Sequence, residues 1–280
     1  YAERAGVVNL GVEGMMILGA VGGFIVAQTS GSPWLGVLAA AFIGGLAALL
    51  HAFIAVTLRA NQYVSGLAVT IFGLGLSGLV GRSYVGLPLR NPIETLSVPG
   101  LESLPLVGPA LFRDQSPLTY LALALALALY LLLHHSRLGL TLRSVGEAPI
   151  AADVAGVNVA RVRYSAVVFG GVMAGVGGAY LSLAYRPSWG ENMTNGMGWI
   201  ALALAIFALW DPLRAVGAAF LFGALFTLAF NLQALLRPEL LTMTPYLFTI
   251  LALVVVALGQ GPRAFGAPAA LGQPYRRGER

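Results

Sequence analysis

Apolar residues run along this chain in long blocks, broken by short turns that carry proline, glycine or arginine. Eight blocks read as helical spans, at 11–28, 34–58, 63–79, 117–134, 164–184, 197–210, 212–236 and 245–260. A straight crossing of a bilayer takes roughly 20 residues. The blocks 34–58 and 212–236 reach that length, whereas 197–210 is short and reads as a broken helix or one buried among its neighbours. The pattern predicts an all-α, polytopic membrane protein with about eight spans in this chain. Nine or ten spans are expected in a full chain, because the sequence opens at Tyr1 in mid-pattern.

Two blocks resemble each other. The run from Gly11 reads GVEGMMILGAVGGFIVAQTSGSPWLGVLAAAFIGGL, and the run from Gly196 reads GMGWIALALAIFALWDPLRAVGAAFLFGAL. Each has a glycine-rich entry, an apolar span, a turn with proline and a Gly/Ala span. Arginine placement gives them opposite senses. With sides alternating, one side receives Arg4, Arg59, Arg137, Arg143, Arg161, Arg163, Arg214, Arg263, Arg276, Arg277 and Arg280, and the other Arg82, Arg90, Arg113, Arg186 and Arg237. The richer side is expected in the cytoplasm. Opposed copies form an inverted repeat, which places a solute path between the halves.

Composition sharpens this reading. Hydrophobic residues make up 58% and charged residues 10% of the 280 positions, and glycine occurs 36 times. Mean hydropathy is +0.82. A soluble domain carries about 25% charged residues, so lipid is the expected solvent. Small residues let membrane helices approach closely. Cysteine is absent, which excludes thiolate chemistry and Cys-ligated zinc. All 16 basic residues are arginine, so no phosphate-binding loop lysine exists here. The chain is therefore expected to be no enzyme and to hold no cofactor, with ATP and Mg on a partner. The net charge of +5 reflects cytoplasmic arginines rather than nucleic-acid binding.

The expected layout is one transmembrane domain, 1–280, with a cytoplasmic loop at 135–163, an extracytoplasmic loop at 81–116 and a cytoplasmic tail at 261–280. Within the first loop, 150–155 can form a small helix, started by Pro149 and stopped by Gly156. Such a knob can dock in a groove on another protein.

Gly146-Glu147-Ala148-Pro149, then Ala151-Ala152, then Gly156-Val157-Asn158-Val159, resemble the coupling loop of ABC importer permeases. The branch is the one that includes branched-chain amino acid, ribose and nucleoside permeases. The run ERAGVVNLGVEGMM from Glu3 to Met16 is similar to the corresponding run of the nucleoside and simple-sugar members. The likeness covers essentially the whole chain but lacks the family's first N-terminal segment. It implies an ATPase partner touching Gly146, Glu147, Ala148, Ala151, Ala152, Gly156 and Val157. It also implies a second, non-identical permease chain, an extracytoplasmic substrate-binding protein, and a bacterial or archaeal cytoplasmic membrane. Nucleosides lead as solute; monosaccharides and branched-chain amino acids follow.

Polar residues inside apolar spans are expensive and often functional. Asn9 and Glu13, offset by four, are expected on one helix face, with Arg4 the nearest partner for Glu13. Asn61, Tyr63, Ser65, Asn195, Trp199 and Asn231 complete the candidate solute path, since amides and aromatics suit a neutral nucleoside or sugar. His51 reads as a satisfied interior histidine. Two rivals are weaker. Gly75-Leu76-Ser77-Gly78 matches a short intramembrane serine-protease motif, but Ser77 and His51 fall at different depths. An ion-coupled transporter needs midplane carboxylates, and only Glu13 qualifies.

Overall fold

A computed structural model describes residues 1–100, 102–103, 108, 111–231, 243, 247, 250, 254 and 266–277. Among the described residues the helices are α1 (Val12–Ser30), α2 (Pro33–Ala52), α3 (Gln62–Gly81), α4 (Pro117–His135), α5 (Arg137–Glu147), α6 (Pro149–Val154), α7 (Val159–Tyr180), α8 (Met197–Phe207) and α9 (Pro212–Asn231). Short side-chain oxygens start most of them by accepting an orphan backbone N–H. Ser32 accepts from Leu35, Asn61 from Tyr63 and Val64, Ser116 from Leu118, Ser136 from Gly139 and Asn158 from Arg161. α2 and α7 both finish in a π-helical turn, Phe53–Thr57 and Leu181–Tyr185.

Five helices, counted with their terminal turns, are long and apolar enough to cross a membrane: Val12–Ser30, Pro33–Thr57, Gln62–Tyr84, Pro117–His135 and Val159–Tyr185. Met197–Phe207 and Pro212–Leu228 are shorter apolar helices. Seven expected blocks thus correspond to helices. The expected span at 245–260 and the end of the one at 212–236 lie outside the described residues, apart from positions 247, 250 and 254. Arg237, Arg263 and Arg280 lie outside them as well.

α1, α2 and α7 pack backbone to backbone. A Cβ added to Gly44 of α2 would lie 2.3 Å from the Gly171 carbonyl oxygen of α7. One on Gly175 would lie 2.1 Å from the Ala40 oxygen, and one on Gly178 would lie 2.0 Å from the Met16 oxygen of α1. Only glycine permits these approaches, and dispersion contacts at such range hold membrane helices together. The outward faces of α2 and α3 carry Leu38, Phe42, Val64 and Ile71, exposed to the surroundings as lipid-facing residues are.

At the end of the bundle bearing Arg82 and Arg186, the segment after α3 folds back over the chain after α7. Leu89 N–H donates to Pro187 (2.9 Å), Ile93 N–H to Leu183 (2.9 Å) and Gly86 N–H to Trp189 (3.0 Å). Leu89, Ile93 and Trp189 are buried there with Phe24 and Leu183. The stretch 135–163 departs from the single small helix expected within it. Ser136 starts the extra helix α5, whose Leu142 and Val145 turn inward, and Asn158 starts α7 several residues before the expected span.

Candidate functional site: a half-helix clamped at both ends

The chain leaving α7 does not turn straight back into a full span. It runs without regular structure from Arg186 past Trp189 to Gly196, where α8 begins beside the start of α1. That meeting point lies inside the bundle. A Cβ on Gly14 would lie 2.6 Å from the Thr70 Cα. Thr70 follows Gln62, the first residue of α3, by eight residues, about 12 Å along a helix axis. α8 then covers 11 residues and ends against the N-terminal 3-10 turn Glu3–Ala5. It is a half-helix, which resolves the short block at 197–210.

Glu13, in the first turn of α1 and only 2% exposed, holds the start of α8. Its Oε1 accepts from the Thr194 hydroxyl (2.6 Å) and the Gly196 N–H (2.9 Å), and its Oε2 from the Gly198 N–H (2.6 Å). A helix N-terminus carries unpaired N–H groups and a partial positive charge, so a carboxylate belongs there. Two N-termini, those of α1 and α8, converge on this one side chain. At the other end of α8, Arg4 donates to the carbonyls of Leu209 (3.1 Å) and Trp210 (3.3 Å), and Trp210 Nε1–H donates to Glu3. Burial raises the Glu3 carboxyl pKa, with the Trp210 N–H opposing. The Glu13 carboxylate thus meets the positive end of the half-helix, and the Arg4 guanidinium meets the carbonyls just past its negative end.

Asp211 then starts α9, accepting from Leu213 N–H and Arg214 N–H (both 3.0 Å), and pairs with His134 Nε2 of α4 at 3.0 Å. Burial pushes its pKa up, but the Arg214 amide, the His134 ring and the Leu213 amide outweigh this and leave it lowered.

The expected site residues divide. Glu13, Asn195, Trp199 and Asn9 gather at the junction. Trp199 is 41% exposed, and its indole N–H reaches Leu10 O at 3.4 Å. Asn195 is exposed in the turn before α8. Asn9 does not share a helix face with Glu13, because α1 starts only at Val12; its Oδ1 accepts from Gly11 N–H at 3.0 Å. Arg4 is not the partner of Glu13, since it donates to the Leu209 and Trp210 carbonyls just past α8. Ser65 binds His51 Nδ1 at 2.9 Å, and His51 Nε2 lies 3.0 Å from the Val8 carbonyl. A carbonyl only accepts, so Nε2 carries the proton and the Ser65 hydroxyl donates to Nδ1. His51 is a satisfied interior histidine, as expected. Ser77 donates to Leu74 O of its own helix, so no Ser77–His51 pair exists. Asn61 caps α3, Tyr63 sits near Gly272 at that end, and Asn231 is exposed at the last position of α9; these three lie apart from the junction. Sequence reasoning missed the Gly196 and Gly198 amides and Thr70, whose hydroxyl binds Leu10 O at 3.0 Å. The glycines flanking Met197 were the available signal.

At the arginine-rich end, α6 packs Ala152 between Val145 and Val159, and Gly156 ends the turn at φ +88°. Gly146 is buried, and Val157 N–H returns to Ala152 O at 2.9 Å. Glu147, Ala148 and Ala151 are exposed. The outermost residues of α6 are Ile150 and Val154, 54% and 85% exposed, which sequence reasoning passed over although their i, i+4 spacing puts them on one face.

A bundle of apolar spans around an interrupted helix that starts at a buried carboxylate is the architecture of a membrane transport protein. Residues 2–258 match the family described as the permease component of branched-chain amino acid transport systems, and the chain belongs to it. It is 40% identical to a putative glucose ABC transporter permease, TsgC13, of Haloferax volcanii, over 99% of this chain and 91% of the relative. It is 37% identical to the guanosine ABC transporter permease NupQ of Bacillus subtilis, over 100% and 91%. It is 34% identical to the nucleoside ABC transporter permease NupC of Lactococcus lactis, over 95% and 89%. No solved structure matches it. The chain is a multi-pass permease subunit of an ABC importer in the cytoplasmic membrane, a transport subunit rather than an enzyme, with an ATPase and a substrate-binding protein as partners.

Proposed function

We propose that this permease carries neutral nucleosides along a path past the α1–α8 junction. The observation that carries this is the state of Glu13. Where two helix N-termini converge inside a membrane, an anionic solute would ordinarily supply the negative charge. Here the protein supplies it, and the neighbouring Trp199 and Asn195 offer a ring face and an amide. Those groups suit stacking on a base and hydrogen bonding to uncharged hydroxyls. Relatives named for guanosine and nucleosides support the same class. Monosaccharides are the second reading, favoured by the relative named for glucose.

The arginine-rich end faces the cytoplasm in this reading, with α6 as the contact to the ATPase. Ile150 and Val154 form its apolar face, and Ala148, Ala151 and Gly156 surround it. ATP and Mg sit on the ATPase, and a second, non-identical permease completes the membrane pore. Uptake into proteoliposomes containing the complete importer tests the solute. Guanosine uptake that requires ATP and resists excess glucose and leucine is expected. Competition by glucose but not by nucleosides would transfer the assignment to sugars. Since the natural chain has no cysteine, single cysteines at Val154 and Arg90 test the orientation. Only the cysteine at 90 should react with an impermeant maleimide in intact cells.

A further inference from the structure

The segment 266–277 lies across the arginine-rich end and joins parts of the molecule that are distant in sequence. Ala270 N–H donates to Gly146 O at 2.9 Å, at the end of α5, and Ala269 N–H to the Glu147 carboxylate at 3.3 Å. Gly272 N–H donates to Gly6 O at 3.2 Å. Gln273 O accepts from Arg163 Nη1 at 3.0 Å, while Arg163 Nε holds Ala5 O at 3.2 Å. Tyr275 packs on the cluster of Val145, Ala152 and Val159, and Arg277 Nε pairs with Asp153 of α6 at 3.1 Å. The fit is close. Gly6 sits at φ +85°, and a Cβ there would lie 3.0 Å from Ala270 O. Pro268 and Ala270 are buried although this segment forms no helix.

Gly6 belongs to the same short stretch as Glu3, Arg4 and Glu13, the residues that clamp α8. A continuous path of hydrogen bonds and packed side chains therefore leads from α6, through this segment, to the half-helix. Elements in such direct contact are what carry coupling between distant sites.

We propose that residues 268–277 act as a strap in the coupling apparatus: tied to Asp153 at one end and to Gly6, Gly146 and Arg163 at the other, they pass displacement of α6 to the segment that positions α8. The inference rests on the reading of α6 as the ATPase contact. The strap gives that contact a route to the solute path that does not run through the tightly packed body of α7.

The test is mechanical. Three Gly/Ser residues inserted after Gln273 add slack between the Arg277–Asp153 pair and the bonds made by 269–273. In the complete importer, uptake per ATP hydrolysed should fall by about fivefold or more, with the ATPase still co-purifying. Arg277→Glu, on a largely exposed side chain, should shift the ratio in the same direction without loss of folded protein. An unchanged ratio in both variants overturns the strap. So does loss of the ATPase from either one, since the segment would then be docking surface only. Val154→Glu separates the two readings: if it keeps the ATPase bound, α6 is not the contact; if it loses the ATPase while slack changes nothing, the strap alone is wrong.

Discussion

The two copies of the repeated pattern fold under different forces. In the first, α1 and α2 lie against α7 with glycine backbones in direct contact, and added Cβ atoms at Gly44, Gly175 and Gly178 would collide with carbonyl oxygens. In the second, α8 is a half-helix held by polar bonds at its ends, and Gly217 and Gly223 of α9 have none of the described residues within 4 Å of an added Cβ. The first copy is fixed by shape along its whole length. Among the described residues the second is fixed mainly at its ends, by Glu13, Arg4, Glu3 and Asp211 and by one close backbone contact, where a Cβ on Gly198 would lie 2.6 Å from the Glu13 Cα. A transporter needs a part that stays and a part that shifts, and a helix pinned by a handful of hydrogen bonds is the one that can exchange partners.

The strongest way to break this contrast is to add volume on both sides of it. Gly175→Val should destabilise the protein by about 3 kcal/mol or more, seen as a loss of folded protein and a lowered thermal midpoint in detergent. Gly217→Val should stay within about 0.5 kcal/mol. Equal effects would show that α9 is packed as tightly as α7. Next in size, Glu13→Ala leaves Gly196 N–H, Gly198 N–H and the Thr194 hydroxyl unpaired. A cost of about 1–3 kcal/mol is expected, with uptake reduced about tenfold. Glu13→Gln, which retains one acceptor oxygen, should fall between that variant and wild type. Arg4→Ala should cost about 1 kcal/mol and speed amide exchange at 208–210, while amides in the middle of α1 remain protected. The smallest effect concerns Asp211, whose folded-state pKa is lowered. Its stabilisation is present above its unfolded value of about 4 and is lost as pH falls through the lower folded value. Asp211→Asn should flatten the acid limb of a melting-point-against-pH curve; an unaltered limb would assign acid sensitivity to another group.

Much of the architecture was legible because lipid enforces length and polarity. The spans at 11–28, 34–58 and 117–134 emerge within a few residues of their helices, and Pro149 and Gly156 bracket α6 as expected. α5 was not legible, since its glycine and arginine content hides an amphipathic face that only the Ser136 cap discloses. The partner of Glu13 was also hidden. Charge pairing led to Arg4, the nearest cation in sequence, yet backbone N–H groups at a distant helix start serve a carboxylate equally well and carry no letter of their own. Asn61 stood out because amides in apolar runs are conspicuous, and its place before Gln-Tyr-Val also suits the helix cap that it forms on α3.

The π turns closing α2 and α7 bear on how chains of this kind tolerate changes in length. A π turn holds one residue more than an α turn, and these two sit at Phe53–Thr57 and Leu181–Tyr185, beyond the glycine contacts that lock the helices together. Deleting one residue from either turn can convert it to an ordinary turn without rotating the locked faces. Deleting one between Gly44 and Ala48 would swing every following side chain by about 100° and present branched residues where only glycine fits. Insertions and deletions among descendants of this sequence should therefore gather at these helix ends and spare the stretch between them.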